Sequence, residues 1–138
     1  DRRVKARQYL SEITVRVVEG PQAEYFTEGG KKTFYKETYT ISDQSDRMGY
    51  RMEGKKIESV SGTDIISDGI ALGSVQVPAD GRPIVLLADR QTTGGYAKIA
   101  TVCSFDIPKL VQGRPGDRVR FVRISVEEAQ KINRKRGI

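Results

Sequence analysis

The rest of the chain is arranged around residues 67–96, SDGIALGSVQVPADGRPIVLLADRQTTGGY. Two strand-like runs, residues 73–77 and 83–88, flank a turn that contains Asp80-Gly81, a pair that favours a hairpin with positive φ. The second run leads directly into residues 89–96, a dense polar segment. A packed core needs the strand but does not need so many hydrogen-bonding groups. We therefore expect the binding or the chemistry to lie in that segment.

Alternation of apolar and polar residues predicts further strands on both sides of this hairpin. Residues 13–17 show the alternation most clearly, and the other predicted strands cover residues 39–42, 48–53, 99–105 and 119–122. Residues 64–69 are predicted to form a polar loop. Residues 114–117, RPGD, fit a type II turn with proline and glycine at the two central positions.

Short helices are expected at three of the connections. Pro21 suits the first turn of a helix over residues 21–26, which Gly29-Gly30 would end. Asp106 is predicted to cap a helix over residues 107–111, and a last helix starts near residue 126 after the capping-box pattern SVEE. Six or seven strands with two or three short helices predict a mainly β protein. A closed or nearly closed β-barrel is the expected arrangement, because closure leaves no unpaired edges.

The length, the charge and the hydropathy exclude several classes of protein. A chain of 138 residues suits a single domain, and its net charge of +6 lies mainly at the two chain ends. No aromatic residues interleave with the basic ones, so we expect no nucleic-acid partner. There is no signal-peptide pattern and no apolar stretch of about 18 residues, so we expect no membrane partner and a cytoplasmic location.

The chain contains no histidine and one cysteine, Cys103. The lack of histidine removes the usual general base near neutral pH, the Ser-His and Cys-His pairs and the commonest zinc ligand. Catalysis would therefore depend on carboxylates, lysine, arginine, tyrosine, backbone amides or another chain. Cys103 lies in the apolar run 99–105, so we expect a buried thiol.

The polar segment could bind an anion. Gly94-Gly95 allows backbone amides to converge on one point, Thr92 and Thr93 add hydroxyl groups, and Arg90 adds a planar fork suited to a carboxylate. The alternative is a loop whose polar groups satisfy one another. The glycines are not followed by the lysine and hydroxyl pair of a Walker A loop, so no ATP site is evident.

Two further groups of charged residues allow a functional and a structural interpretation. Arg47 could anchor a substrate carboxylate with Asp46 orienting it, or the two could form a local ion pair. Asp64 and Asp68 could bind a divalent cation or hold one shared proton. No third oxygen ligand follows at a recognisable spacing, and we predict no metal site.

Three strings closely resemble the KipA family, which is also known as the second subunit of allophanate hydrolase or the C subunit of 5-oxoprolinase: residues 45–51 (SDRMGYR), 67–96 and 114–121 (RPGDRVRF). This family is related to the carboxyltransferase domain of urea carboxylase, and the likeness covers about residues 15–129. It implies a cyclophilin-like β-barrel in a protein with two such halves. Residues 1–11 would then be a connection from an N-terminal half, and residues 12–138 the single C-terminal cyclophilin-like domain. The chain departs from the family pattern at Ala97, where proline is expected.

The resemblance implies three alternative functions. The leading one is the C-terminal half of a subunit of ATP-dependent 5-oxoprolinase, which opens a cyclic amide together with KipI-like and lactam-hydrolase-like partners. The second is a carboxyltransferase domain that moves a carboxyl group from biotin to urea, and biotin is implied only under this alternative. The third is a non-enzymatic antagonist of a KipI-type kinase inhibitor. Without the N-terminal half, the chain alone is not expected to turn over substrate.

Under the leading alternative, Arg47 and Arg90 would hold an anionic substrate, and Asp89 would orient Arg90 or assist proton transfer. Tyr96 would close the pocket. The expected catalytic residues are Asp89, Arg90 and Tyr96. The expected substrate-binding residues offer polar side chains or backbone amides and are Asp46, Arg47, Gln76, Gln91, Thr92, Thr93, Gly94 and Gly95.

Overall fold

A computed structural model of the chain describes residues 11–46, 48–60, 64–65, 72–87 and 95–135, with the backbone alone for residues 64, 65 and 95. Seven of the strands within these ranges belong to one sheet: β1 (Glu12–Glu19), β2 (Tyr39–Ile41), β3 (Gly49–Glu53), β5 (Ser74–Gln76), β6 (Ile84–Leu86), β8 (Lys98–Val102) and β9 (Arg118–Arg123). They close a β-barrel in the order β1-β8-β5-β6-β3-β2-β9. The predicted mainly β barrel is confirmed.

The hairpin predicted over residues 73–88 is confirmed in its described part, residues 73–87. β5 and β6 pair antiparallel, with Val75 opposite Val85. Gly81 in the connecting turn has a φ of +79°, as the Asp80-Gly81 pair predicts. The predicted turn at 114–117 is also present, since Gly116 has a φ of +96° and the Asp117 amide donates to the Arg114 carbonyl at 2.9 Å.

A separate two-stranded ribbon joins β4 (Asp64–Ile65) to β7 (Gly95–Tyr96). The prediction of a polar loop from residue 64 is therefore wrong for its first two residues. Their strand conformation comes from pairing with residues 95–96, far along the chain, and local composition carries no sign of such pairing. Residues 66–69 lie outside the described ranges.

The described residues form three α-helices: α1 (Glu28–Lys36) and α2 (Ile107–Val111) lie between strands, and α3 (Val126–Lys135) follows β9. α2 and α3 lie where the sequence predicts them, and the Glu128 amide donates to Ser125 Oγ at 3.0 Å at the start of α3. None of the helices described here is long and apolar enough to cross a membrane.

The helix predicted over residues 21–26 with an end at Gly29-Gly30 is wrong. Only a 3-10 turn, Ala23–Tyr25, forms there, and the two glycines lie in the first turn of α1. Thr27 caps that helix, because its Oγ1 accepts from the Gly30 amide at 2.9 Å. A Cβ on Gly30 would collide with the Glu58 carbonyl oxygen, so this glycine permits a close backbone approach instead of ending a helix.

The core fills the barrel and takes in one residue of α1. The Phe34 ring is fully buried and stacks on Phe121 of β9, with ring centroids 4.6 Å apart. Tyr39 is buried beside them and donates from its hydroxyl to the Lys55 carbonyl at 2.9 Å. Burying side chains of this size stabilises the fold by about 1.5–3 kcal/mol each. Cys103 is buried and unpaired, as predicted.

Asp106 precedes α2 but does not cap it, so that prediction is wrong. Its side chain makes no cap hydrogen bond and instead accepts from the backbone amide and the guanidinium of Arg16 in β1. A carboxylate that already receives an arginine in a bidentate pair has little capacity left for the helix end.

Candidate functional site

Three polar side chains form a buried layer on the outside of the barrel. Val75 of β5 packs into the core, so its strand neighbours Ser74 and Gln76 point to the opposite face. They are nevertheless 3% and 6% exposed, and Lys98 of β8 is 5% exposed. We call Ser74, Gln76 and Lys98 the outer polar layer. Buried polar groups normally have hydrogen-bond partners, and a buried lysine is rare unless it is paired.

A β-bulge brings Lys98 opposite Gln76. Val75 pairs with Ala100, so a regular ladder would place Ile99 opposite Gln76. The register shifts between Val75 and Gln76, and Gln76 pairs with Lys98 instead. Residues directly opposite each other share one face of a sheet. The bulge therefore places a lysine, instead of an apolar residue, opposite Gln76. Bulges next to functional sites often change the direction of a side chain in this way.

The segment after β1 holds the backbone of β8 in place. Gln22 Oε1 accepts from the Lys98 amide at 3.0 Å, and the Gln22 amide donates to the Lys98 carbonyl at 3.3 Å. Gly20 approaches so closely that a Cβ there would lie 2.5 Å from the Lys98 carbonyl oxygen. These contacts hold the Lys98 backbone in place on the side away from Gln76, so the position of the Lys98 side chain is well defined.

The outer polar layer has donor capacity that the described residues do not use. Gln76 Nε2 is buried without a hydrogen-bond partner among them. Lys98 forms no ion pair with any carboxylate in the described ranges. Leaving one buried donor unsatisfied costs about 1–3 kcal/mol. These two groups are suited to donate hydrogen bonds to a ligand oxygen, either of a carboxylate or of a group on which negative charge develops.

Tyr96 lies next to this layer. It pairs with Asp64 in the β4–β7 ribbon and is half-buried. The chain passes from Tyr96 through the fully buried Ala97 directly into Lys98. Of the residues predicted for the site, Tyr96 and Gln76 are therefore brought to the same edge of the barrel, at β7–β8 and β5.

The turn that contains Asp46 lies at the exit of β6. Asp46 Oδ1 accepts from the Met48 amide at 2.8 Å and from the Gly49 amide at 3.2 Å, so the structure gives this carboxylate a turn-forming role. The Leu87 amide donates to the Met48 carbonyl at 3.0 Å. The motif 45–51 is thus next to the point at which the polar segment leaves β6.

A cleft of about 370 Å³ opens beside this contact, lined in part by Asp46, Tyr50 and Leu87. The Tyr50 hydroxyl lies 3.0 Å from the carbonyl oxygens of Val111 and Gly113 and is therefore engaged by backbone near α2. This cleft is large enough for a small ligand, since such sites measure about 300–1,000 Å³.

Seven predicted site residues lie outside the described ranges: Arg47, Asp89, Arg90, Gln91, Thr92, Thr93 and Gly94. Asp68 of the possible carboxylate pair lies outside them as well. For Gly95 the backbone alone is described, and it pairs with Ile65. The roles assigned to these residues stay predictions.

Ser74 and Lys98 were missed by sequence reasoning. The available signal was a lysine between two apolar neighbours, Ala97 and Ile99, at the start of a strand whose other residues are apolar except Thr101. The bulge that aligns Lys98 with Gln76 has no local signature, so the residue cannot be assigned to a face from the sequence.

Comparisons with known proteins agree with this architecture. The family model described as carboxyltransferase domain, subdomain A and B, matches residues 2–123. The C subunit of Haemophilus influenzae 5-oxoprolinase is 43% identical over 120 residues, which cover 86% of this chain and 39% of the relative. The corresponding C subunit of Escherichia coli 5-oxoprolinase is 38% identical over 125 residues, which cover 91% of this chain and 40% of the relative. The chain thus spans about two-fifths of the length of these curated relatives.

A solved structure, the urea carboxylase of Kluyveromyces lactis, aligns with a TM-score of 0.82 at 23% identity. The alignment covers 91% of this chain and 12% of that one. At this identity the likeness shows the fold: the barrel is that of one part of a much longer protein.

Proposed function

The chain belongs to the family of carboxyltransferase domains, subdomains A and B, and from that membership we propose that it is the C-terminal part of a subunit of an ATP-dependent 5-oxoprolinase. Identities of 43% and 38% to the C subunits of two 5-oxoprolinases support this proposal. The partners would be KipI-like and lactam-hydrolase-like subunits and the N-terminal half of the same protein. The complex would use ATP, to which we assign no residue of this chain.

The outer polar layer is the structural feature that best supports this proposal. Opening a lactam places negative charge on the amide oxygen, and preorganised donors in a water-excluded site stabilise such charge. Gln76 Nε2 has no partner among the described residues, and Lys98 is a buried cation directly opposite it. These two groups would bind the lactam oxygen or the carboxylate of 5-oxoproline, with Tyr96 at the edge of the site.

The polar segment would complete the site. In this proposal Arg90 and Arg47 hold the substrate carboxylate, and Asp89 orients Arg90 or assists proton transfer. The amides of Gly94 and Gly95, with Gln91, Thr92 and Thr93, add further donors for the developing negative charge.

Reconstitution tests the function. The full-length protein is combined with its partner subunits, and ATP-dependent release of glutamate from 5-oxoproline is measured with and without each component. Activity that requires this subunit and falls strongly in Arg90→Ala supports the proposal. Full activity without this subunit would contradict it, and full activity in Arg90→Ala would remove the role given to that arginine.

A carboxyltransferase that moves a carboxyl group from biotin to urea is the second candidate, because the matching family is described as a carboxyltransferase domain. The outer polar layer would then face a carboxyl group or the urea oxygen. Saturable biotin binding by the full-length protein would favour this candidate, and no detectable binding at millimolar biotin would count against it.

The third candidate, a non-enzymatic antagonist of a KipI-type inhibitor, predicts a separation of binding from activity. Variants that have lost all turnover would still bind the KipI-like protein and relieve its inhibition of the kinase. Loss of both properties together would disfavour a purely regulatory role.

A further inference from the structure

A second cleft, of about 390 Å³, lies between α1 and the last residues of β1 and β9. The residues that line this cleft include none of the outer polar layer, so the two sites are described separately. Its charged lining comprises four cations and two carboxylates, an excess of two positive charges: Lys31, Lys32, Lys36 and Arg123 against Glu19 and Glu28.

One face of α1 supplies most of this lining. Glu28, Lys31, Lys32, Tyr35 and Lys36 follow the three- and four-residue spacing that places side chains above one another on a helix. Phe34 points instead into the core and is fully buried. The cationic face is therefore fixed by the packing of the opposite side of the helix.

The cations in the cleft are only loosely neutralised. Lys31 Nζ lies 3.4 Å from Glu28 Oε2 and 3.9 Å from Glu19 Oε2. Arg123 Nη2 lies 3.7 Å from Glu19 Oε1. Charge-assisted hydrogen bonds are shorter, at about 2.7–2.9 Å. Lys32 and Lys36 have no ion pair with a carboxylate of the described residues.

Tyr35 adds an unused donor. Its hydroxyl is buried and has no hydrogen-bond partner among the residues that the structure describes. Burial raises the pKa of Tyr35, the Glu19 carboxylate raises that pKa further, and Arg123 offsets part of the effect. The hydroxyl therefore stays protonated at neutral pH, and a buried hydroxyl of this kind requires an acceptor.

We propose that this cleft binds a small dianion of the phosphate class, whose oxygens displace the Glu19 carboxylate from Lys31 and Arg123 and accept a hydrogen bond from the Tyr35 hydroxyl. Lys32 and Lys36 stand at the rim and attract the ligand. A dianion matches the excess of two positive charges, and its several acceptor oxygens match the number of donors. The volume suits a small molecule. This site does not depend on the proposed function.

Calorimetric titration of the chain with inorganic phosphate at low ionic strength tests the proposal. Lys32→Gln/Lys36→Gln should weaken binding about fivefold, because two unpaired cations are removed. Lys55→Gln/Lys56→Gln is the matched control, since both lysines are exposed and lie outside the cleft, and it should leave the affinity within about twofold of wild type.

Two further variants shift the affinity in opposite directions. Tyr35→Phe should weaken phosphate binding about tenfold, because a hydrogen bond to a charged group is lost. Glu19→Gln should strengthen it, because the competing carboxylate is gone. The proposal is overturned by a wild-type protein that does not bind phosphate, by equal losses in the two double-lysine variants, by unchanged affinity in Tyr35→Phe, or by weaker binding in Glu19→Gln.

Discussion

Asp106 and Arg16 form a bidentate ion pair between the start of α2 and β1, with both Arg16 Nε–Asp106 Oδ2 and Arg16 Nη2–Asp106 Oδ1 at 2.8 Å. The Arg16 backbone amide also donates to Asp106 Oδ2 at 2.7 Å. The carboxylate is 1% exposed, and the Arg16 guanidinium lies 4.7 Å from the centre of the Phe105 ring. This pair ties the helix after β8 to the neighbouring strand β1.

Asp106→Ala should lower the free energy of unfolding by about 2 kcal/mol, because it removes the charge-assisted hydrogen bonds that the buried carboxylate accepts from Arg16, whose side chain is 35% exposed. Lys109→Met is the control. Lys109 Nζ lies 3.5 Å from Asp106 Oδ1 and its side chain is half-exposed, so this change should cost less than about 1 kcal/mol. Urea unfolding measures both, and equal losses would contradict the role given to the Arg16–Asp106 pair.

Acid should weaken this connection. Burial alone would raise the pKa of Asp106, but the hydrogen bonds from the side chain and backbone of Arg16, with the charges of Arg16 and Lys109, outweigh it and lower the pKa below the ordinary 3.8. A carboxyl group whose pKa is lowered in the folded state stabilises the fold when the pH is above the ordinary pKa of the group. This stabilisation is lost as the pH falls through the lowered, folded-state pKa.

The free energy of unfolding of the wild type should therefore fall more steeply below pH 3.8 than that of Asp106→Asn, which cannot titrate at this position. Urea unfolding at a series of pH values compares the two proteins. Parallel curves would mean that Asp106 does not contribute to the acid response.

Gly30→Ala should destabilise the protein by about 2 kcal/mol or more, because the added Cβ meets the backbone of Glu58 and the chain must move. Gly29→Ala is a matched control one residue away. Its Cβ would find only Thr27 Oγ1, at 3.8 Å, and alanine favours helix by up to about 1 kcal/mol. Thermal unfolding should separate the two variants, and similar melting temperatures would refute the packing argument.

Cys103 should react slowly with a thiol reagent in the folded protein. Burial raises the pKa of this thiol, the nearby Asp106 carboxylate raises it further, and Arg16 offsets part of the effect. Since the thiolate is the reactive form, labelling at neutral pH should speed up strongly when urea unfolds the chain. Equal rates in the two states would mean that the thiol is accessible.

The barrel could be predicted because its strands carry local signals. The hairpin around Gly81 combines two apolar runs with a turn pair, and both the pairing and the positive φ are present. Asp106 was misassigned because a residue in front of a short helix resembles a cap, whereas its partner Arg16 is 90 positions away. Lys98 was missed for the same reason, since its partner is also distant in the sequence. Its position opposite Gln76 depends on a register shift between two strands.

If the outer polar layer belongs to the functional site, Lys98→Met should impair activity. Methionine keeps the length and the apolar stem but removes the ammonium group. In the reconstituted complex kcat should fall about 100-fold or more, as for the loss of one charge-stabilising donor. The free energy of unfolding should not fall, because a buried cation without an ion pair in the described ranges gives way to an apolar side chain.

The measurement is kcat for ATP-dependent glutamate release, taken with the free energy of unfolding for the same preparations and with Lys56→Met as the exposed control. We expect a large loss of kcat in Lys98→Met alone, with stability retained. Full activity in Lys98→Met, or a loss of activity that merely follows a loss of stability, would contradict it.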